Sequence, residues 1–319
     1  MVPALALVGP TGVGKTEISL LLAEKLQGEI ISGDSMQVYK GMDIGTAKVT
    51  PPEQARVPHH LLDLREPNEA FSVVEYQQLA RHAMEDIFRR GKLPLVVGGT
   101  GFYLRAALTP YTFSPTQYHP LYREELHRRG ATEGSEVLHG ELALVDPLSA
   151  TKYHPNDLRR IIRALEVYHH SGVPLSRQEE ATKAAPPLYN CLWLGLERSR
   201  EELYRRIEVR VEAMMQAGLL QEVTELYHRY WQGELRDSPL GSARQALGYK
   251  ELIPYLEGRL SLEEAVATLK QETRRFAKRQ IIWFRRDTEI NWFTVSNTEA
   301  PEEVVARLME RIKVWQQVT

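Results

Sequence analysis

The run Gly9-Pro-Thr-Gly-Val-Gly-Lys-Thr16 is made of residue types that grip phosphate. It reads G-x-x-x-x-G-K-[ST] and lies between the apolar Ala4–Val8 and a stretch with Ile18, Leu21 and Leu22 at helical spacing. Its glycines let the backbone wrap with N–H groups pointing inward. Lys15 adds a full positive charge and the helix start a partial one. The candidate diphosphate-binding residues are therefore Gly9, Thr11, Gly12, Val13, Gly14, Lys15 and Thr16, with the Thr16 hydroxyl as a candidate ligand for Mg²⁺. The motif does not say whose phosphates it holds.

Two further groups could act on such a phosphate. Asp34 follows the apolar Glu29-Ile-Ile-Ser32, at a strand end, where ligands of open parallel sheets collect. Leu93–Val97 reads as another strand, but it ends in Gly98-Gly-Thr-Gly101 instead of the acidic residue that helps a phosphate-loop NTPase hold its metal. Glycines there would let backbone N–H groups and the Thr100 hydroxyl approach a ligand. One carboxylate and one hydroxyl, without a water-activating group, argue against ATP hydrolysis. They suit group transfer from a diphosphate ester, with Asp34 as base and diphosphate leaving. The competing reading for Asp34 and for Gly98–Gly101 is a plain turn, where Asp and Gly are common.

A sheet must hold these groups in line. Strands are expected at Ala4–Val8, Glu29–Ser32, His59–Leu64 and Leu93–Val97, alternating with helices at Gly14–Gln27, Ser72–Arg90 and Phe102–Leu108. From 109 to 187 the alternation stops: helical segments near Pro120–Arg129, Gly134–Val145 and Asn156–His170 are separated by prolines, and no buried strand is evident. Strand character returns at Asn190–Leu196 and again at Ile290–Val295. Helices are expected at Ser199–Ala217, Leu219–Trp231, Gly248–Leu256, Ser261–Phe284 and Glu302–Gln317. The expected fold is α/β: a parallel sheet flanked by helices, of phosphate-loop NTPase type, with core 1–108, an all-helical insertion 109–187, and 188–319 completing the core with helices.

The net charge of −2 demands no polyanion partner globally, so any nucleic-acid surface must be local. Cys191 is alone, which excludes a disulfide framework and a Cys-based zinc site. No apolar run is long enough to span a bilayer, and the first one leads into the phosphate loop, so a cytoplasmic protein is expected. Basic residues gather at Arg159, Arg160 and Arg163, and again at Lys270, Arg274, Arg275, Lys278, Arg279, Arg285 and Arg286, interleaved with Phe276, Trp283 and Phe284. As a cluster they read as a polyanion surface; any one of them could equally be a solvated helix position. The five tryptophans read as core.

The phosphate loop, the long polar stretch Asp34–Lys48 and Val97-Gly-Gly-Thr-Gly101 together resemble the tRNA dimethylallyltransferases. So do His154-Pro-Asn-Asp157 with Arg163–Val167, Leu247-Gly-Tyr-Lys-Glu251 and Lys278–Arg285, and the likeness runs from Val2 to Phe293. The resemblance implies that the loop holds dimethylallyl diphosphate and that the prenyl group goes to the exocyclic amine of the adenine 3′ of the anticodon in tRNA. It implies Asp34 as base, Thr100 at the breaking bond, Arg210 on the diphosphate, and Mg²⁺. It also implies a tRNA-facing set: Asp34, Ser35, Met36, Gln37 and Thr100; Arg123, Arg159, Arg160 and Arg163; Gln245, Gly248, Tyr249 and Lys250; and Lys278, Arg279, Gln280, Trp283 and Arg285. Arg210 has a second reading, an ion pair with Glu208 or Glu212. The zinc finger that some relatives carry is missing, which fits the bacterial form, and a monomer is expected. Three alternatives stay open: a small-molecule phosphate-loop kinase, an adenylate isopentenyltransferase using AMP, and a non-catalytic RNA-binding module.

Overall fold

The computed structural model describes residues 1–113, 120–232 and 243–318. The chain forms two compact units, 1–108 with 188–319, and 109–187. The first is built on a six-stranded parallel sheet of order β3-β2-β4-β1-β5-β6. Its strands are β1 (Val2–Val8), β2 (Gly28–Ser32), β3 (His59–His60), β4 (Leu93–Gly98), β5 (Tyr189–Glu197) and β6 (Asn291–Thr294). Between them run α1 (Lys15–Leu26), α2 (Pro51–Arg56), α3 (Val73–Arg89) and α4 (Gly101–Leu108).

Successive side chains of a strand point to opposite faces, and β1 uses both. Leu5 and Leu7 join one core with Leu20, Leu22 and Ile207; Ala4, Ala6 and Val8 join another with Tyr76, Met84 and Leu104. Burial on both faces is why the central strands read as continuous apolar runs. At the carboxyl edge β1 lies between β4 and β5, with Val8 level with Gly98 and with Gly195, and Ser32 of β2 level with Val97.

The helical unit holds α5 (Pro120–Thr132), α6 (Ser135–Val145), α7 (Pro147–Lys152), α8 (Leu158–Ser171) and α9 (Leu175–Ala184) around its own core of Leu126, Leu138, Leu142, Ile161, Ile162 and Leu165. After β5 the first unit continues with α10 (Arg200–Gln216), α11 (Leu219–Leu226), α12 (Ile253–Leu256), α13 (Leu262–Phe284) and α14 (Pro301–Val318). Ser261 and Glu264 cap α13 reciprocally, so its start was legible as S-x-x-E. A third core joins Val38, Tyr39 and Met42 of the stretch after β2 to α11 and α13. Among the described residues no helix is long and apolar enough to cross a membrane.

Three expectations need correction. The strand at His59–Leu64 stops after His60, because Leu61 and Asp63 take left-handed φ values of 65° and 53°. Of Gly248–Leu256 only Ile253–Leu256 is α-helical. Trp283 is not core but 40% exposed.

Candidate active site at the carboxyl edge of the sheet

Four neighbouring strands deliver the candidate groups in order along one edge. Asp34 lies just beyond β2, Thr100 just beyond β4, Lys15 beyond β1 and Arg198 beyond β5. The loop after β1 turns through Gly12 and Gly14 at φ 80° and 109°, conformations that cost other residues strain. Two arginines brace it from outside: Arg206 Nε donates to Gly12 O at 2.9 Å and Arg198 Nε to Val13 O at 3.0 Å. Lys15 curls back, and its Nζ donates to Gly9 O and Pro10 O, both at 2.9 Å. Burial of the ammonium, reinforced by Arg210 and opposed by Asp34, lowers Lys15 to about 7.

Asp34 is shaped by the turn it opens. Its Oδ1 accepts from Met36 N–H at 2.8 Å. Burial nevertheless raises its pKa, against the pull of that hydrogen bond and of the Lys15 and Arg210 charges. Thr100 stands beside it: its Oγ1 accepts from Ser35 N–H at 3.2 Å, and its own N–H donates to Gly33 O at 3.2 Å. Behind them Tyr76 and Tyr103 stack with centroids 4.5 Å apart. A carboxyl with weakened acidity beside a cationic loop has the chemistry to accept a proton next to an anion.

Arg210 on α10 shares this field, since Asp34 and Lys15 both interact with it electrostatically. The carboxylates that could have claimed it are engaged elsewhere: Glu208 binds Arg274 and Glu212 binds Lys270, each at 2.7 Å. Among the described residues none stands at ion-pair distance from Arg210. The ion-pair reading of Arg210 is therefore not what the structure holds.

The stretch that bears Asp34 is clamped by residues that motif reading passed over. Glu222 of α11 accepts three successive backbone N–H groups, from Asp43, Ile44 and Gly45, at 3.0, 2.8 and 3.0 Å. Tyr249 donates its hydroxyl to the same carboxylate at 2.7 Å. At the far end Lys48 is buried between Asp43 and Asp63, 2.6 Å from each. A Gly-containing loop with an acidic residue far along the chain gives no local signal for such a clamp.

The expected tRNA-facing residues divide. Lys278, Arg279, Trp283 and Arg285 are exposed along the end of α13, with Arg285 paired to Glu197 at 2.8 Å. Lys250 is exposed, whereas Tyr249 is fully buried and Gly248 holds φ 99° against Gly45. Gln245 sits in a short 3-10 turn, Ala243–Gln245. Gln37 is occupied by its own loop, accepting from Ser32 Oγ at 2.9 Å, and Gln280 is buried. Ser35 and Met36 remain half-buried beside Asp34. In the helical unit Arg123 forms a two-pronged pair with Glu166, 2.6 Å on each prong; Arg163 lies 3.7 Å from Glu166, and Arg160 is 2.9 Å from Asp157. Arg159 is exposed.

The glycines at the end of β4 and just beyond it serve packing. A Cβ on Gly98 would lie 2.3 Å from Gly33 O, one on Gly99 2.2 Å from Gln280 Nε2, and one on Gly101 2.0 Å from Trp283 Nε1. Their absence of side chains lets β2 and α13 close on this turn and leaves Thr100 as the group presented.

A parallel sheet with a Gly-Lys turn after its first strand, and an aspartate and a threonine beyond the strands on one side, defines a P-loop-like α/β protein with a candidate group-transfer site. Residues 37–287 match the model of the IPP transferase family. The chain is 52% identical over 295 residues to the tRNA dimethylallyltransferase of Geobacillus thermodenitrificans, covering 92% of this chain and 91% of that one. It is 48% identical to the Bacillus subtilis tRNA dimethylallyltransferase, with 92% and 91% covered. Among solved structures it is similar to the full-length tRNA isopentenylpyrophosphate transferase of Bacillus halodurans, with TM-score 0.72, 41% identity and 100% and 99% covered. It is also similar to a eukaryotic dimethylallyltransferase acting on tRNA, with TM-score 0.84, 33% identity and 97% and 78% covered. The chain belongs to the IPP transferase family.

Proposed function

We propose that this transferase moves a dimethylallyl group from dimethylallyl diphosphate to the exocyclic amine of the adenine 3′ of the anticodon in tRNA, releasing diphosphate. The observation that supports this most is the order along the sheet edge: base, hydroxyl and cationic turn on three adjacent strands, with Arg210 in the same field and no carboxylate among the described residues at ion-pair distance from it. An adenine amine is a poor nucleophile because its lone pair is delocalised. Asp34, made more basic by burial, accepts the amine proton as the new C–N bond forms. Lys15, Arg210 and the N–H groups of the Gly9–Thr16 loop meet the charge that builds on the departing diphosphate. Thr100 lies between these two groups and contacts the diphosphate near the breaking bond.

Mg²⁺ riding on a diphosphate needs few protein ligands, and the Thr16 hydroxyl in the first turn of α1 fits that need. When bound, the ion would neutralise leaving-group charge. The target base must leave its stack to reach Asp34. The exposed Lys278, Arg279, Trp283 and Arg285 suit the flanking phosphates and bases of a single-stranded loop. Transfer RNA is a cytoplasmic substrate, so the reading includes a cytoplasmic enzyme, acting as a monomer.

The test is incubation with labelled dimethylallyl diphosphate and either tRNA, AMP or ATP. Label on tRNA alone is the expected result. Label on AMP, or turnover of ATP without prenyl transfer, would assign the chain to a different chemistry.

A further inference from the structure

One side chain of α13 holds both halves of the site. Gln280 is 6% exposed. Its Oε1 accepts from Thr11 N–H at 2.9 Å, and its Nε2 donates to Gly99 O at 3.0 Å. Only one orientation of the amide satisfies both partners. Turned over, N–H would face N–H and oxygen would face oxygen. The fit is close enough that Gly99 has no room for a Cβ. Thr11 belongs to the turn that grips the leaving diphosphate, and Gly99 immediately precedes Thr100. Two residues before Gln280 and three after it, α13 exposes Lys278 and Trp283, the side offered to RNA.

We infer that Gln280 is a positioning residue, which sets the separation between the diphosphate-gripping turn and Thr100 and ties both to the helix that meets tRNA. This rests on the prenyl-transfer reading above. Group transfer depends on alignment of leaving group and acceptor, and a displacement of about 1 Å can cost about 10²-fold in rate. Gln280 therefore acts on turnover, not on RNA affinity, although it lies within a run of RNA-facing residues.

The test compares Gln280→Ala, Gly99→Ala and the double variant for prenyl transfer to tRNA. Gln280→Ala should lower kcat by about 10- to 100-fold while KM for tRNA stays within about twofold. Gly99→Ala should be at least as impaired, because its new Cβ lands on the Gln280 amide. In the double variant that clash is gone, so activity should fall no further than in Gly99→Ala alone, a departure from multiplicative effects. Gln280→Glu keeps the bond to Thr11 but sets a carboxylate oxygen against Gly99 O. Its activity relative to wild type should rise as pH falls and the donor is restored, which general loosening of the fold would not produce. Raised KM for tRNA with unchanged kcat, or multiplicative effects in the double variant, would overturn the inference. Wild type run alongside separates the two claims: no transfer by wild type rejects the function, whereas transfer with multiplicative variants rejects only the role of Gln280.

Discussion

The strongest quantitative expectation concerns the proton on Lys15. With its pKa lowered to about 7, Lys15 carries a proton in only about a tenth of molecules at pH 8. The neutral amine keeps two N–H donors, so the bonds to Gly9 O and Pro10 O survive deprotonation. A bound diphosphate brings negative charge beside the amine and restores the ammonium. Binding at pH 8 should therefore take up about 0.9 proton per diphosphate, and affinity should fall by up to about tenfold for each pH unit above 7. The terminal phosphate of a diphosphate ester, with a last pKa of about 6 as in other phosphate esters, is already ionised at that pH and contributes little. Isothermal titration of dimethylallyl diphosphate in buffers of differing ionisation enthalpy measures the uptake directly. Lys15→Arg is the control: guanidinium stays protonated throughout, so uptake should vanish. Zero uptake by wild type at pH 8, or undiminished uptake by Lys15→Arg, would refute the reasoning. The same shift acts on folding. Between pH 7 and 10.5 the folded chain binds fewer protons at this site than the unfolded one, so Lys15 makes stability rise with pH across that window.

Asp34→Ala should cut prenyl transfer by about 10²–10⁴-fold while tRNA binding, measured by filter retention, largely survives. Because the Asp34 pKa is raised, wild-type turnover should begin to fall on acidification at a pH above the usual carboxylate range, as the pH–rate profile would report. Arg279→Ala should flatten the salt dependence of tRNA affinity by about one counterion, leaving diphosphate affinity alone; an unchanged slope would mean that the helix does not meet phosphates. Glu222→Ala strips the acceptor from three backbone N–H groups and should cost about 2 kcal/mol in urea melts, with turnover lost at lower urea than the far-ultraviolet signal.

How far the sequence could be read depended on how local the cause was. The Gly-Lys turn, β1 and the long α13 announce themselves within a dozen residues, through apolar period, caps and glycine spacing. The helical unit was legible because 109–187 lacks buried strand pattern. The helix α2 was missed although Thr50 and Glu53 form a capping box, because two prolines obscure its first turn. The site divides the same way. Asp34 and Thr100 follow from strand ends, since a parallel sheet makes its carboxyl edge a shared address. Tyr249 and Gln280 carry types and neighbours suited to RNA, yet they face inward, because their partners lie far off in the chain at Glu222, Thr11 and Gly99. Motif proximity places a residue near a site without saying which way it turns. The glycines Gly99 and Gly101 illustrate this: what their missing side chains admit is α13, whose docking there no local pattern announced.

The braces on the Gly9–Thr16 turn come late in the chain. Arg198 and Arg206 are translated only after the whole helical unit, and Gln280 later still. A ribosome that has just finished β4 therefore carries the most recognisable motif of the protein in a form with none of these three supports. The central strand still lacks its β5 neighbour at that moment, leaving one hydrogen-bonding side of β1 open. Competence for chemistry thus arrives near the end of synthesis, and a prematurely released fragment would keep the signature without the braces that hold its turn in shape.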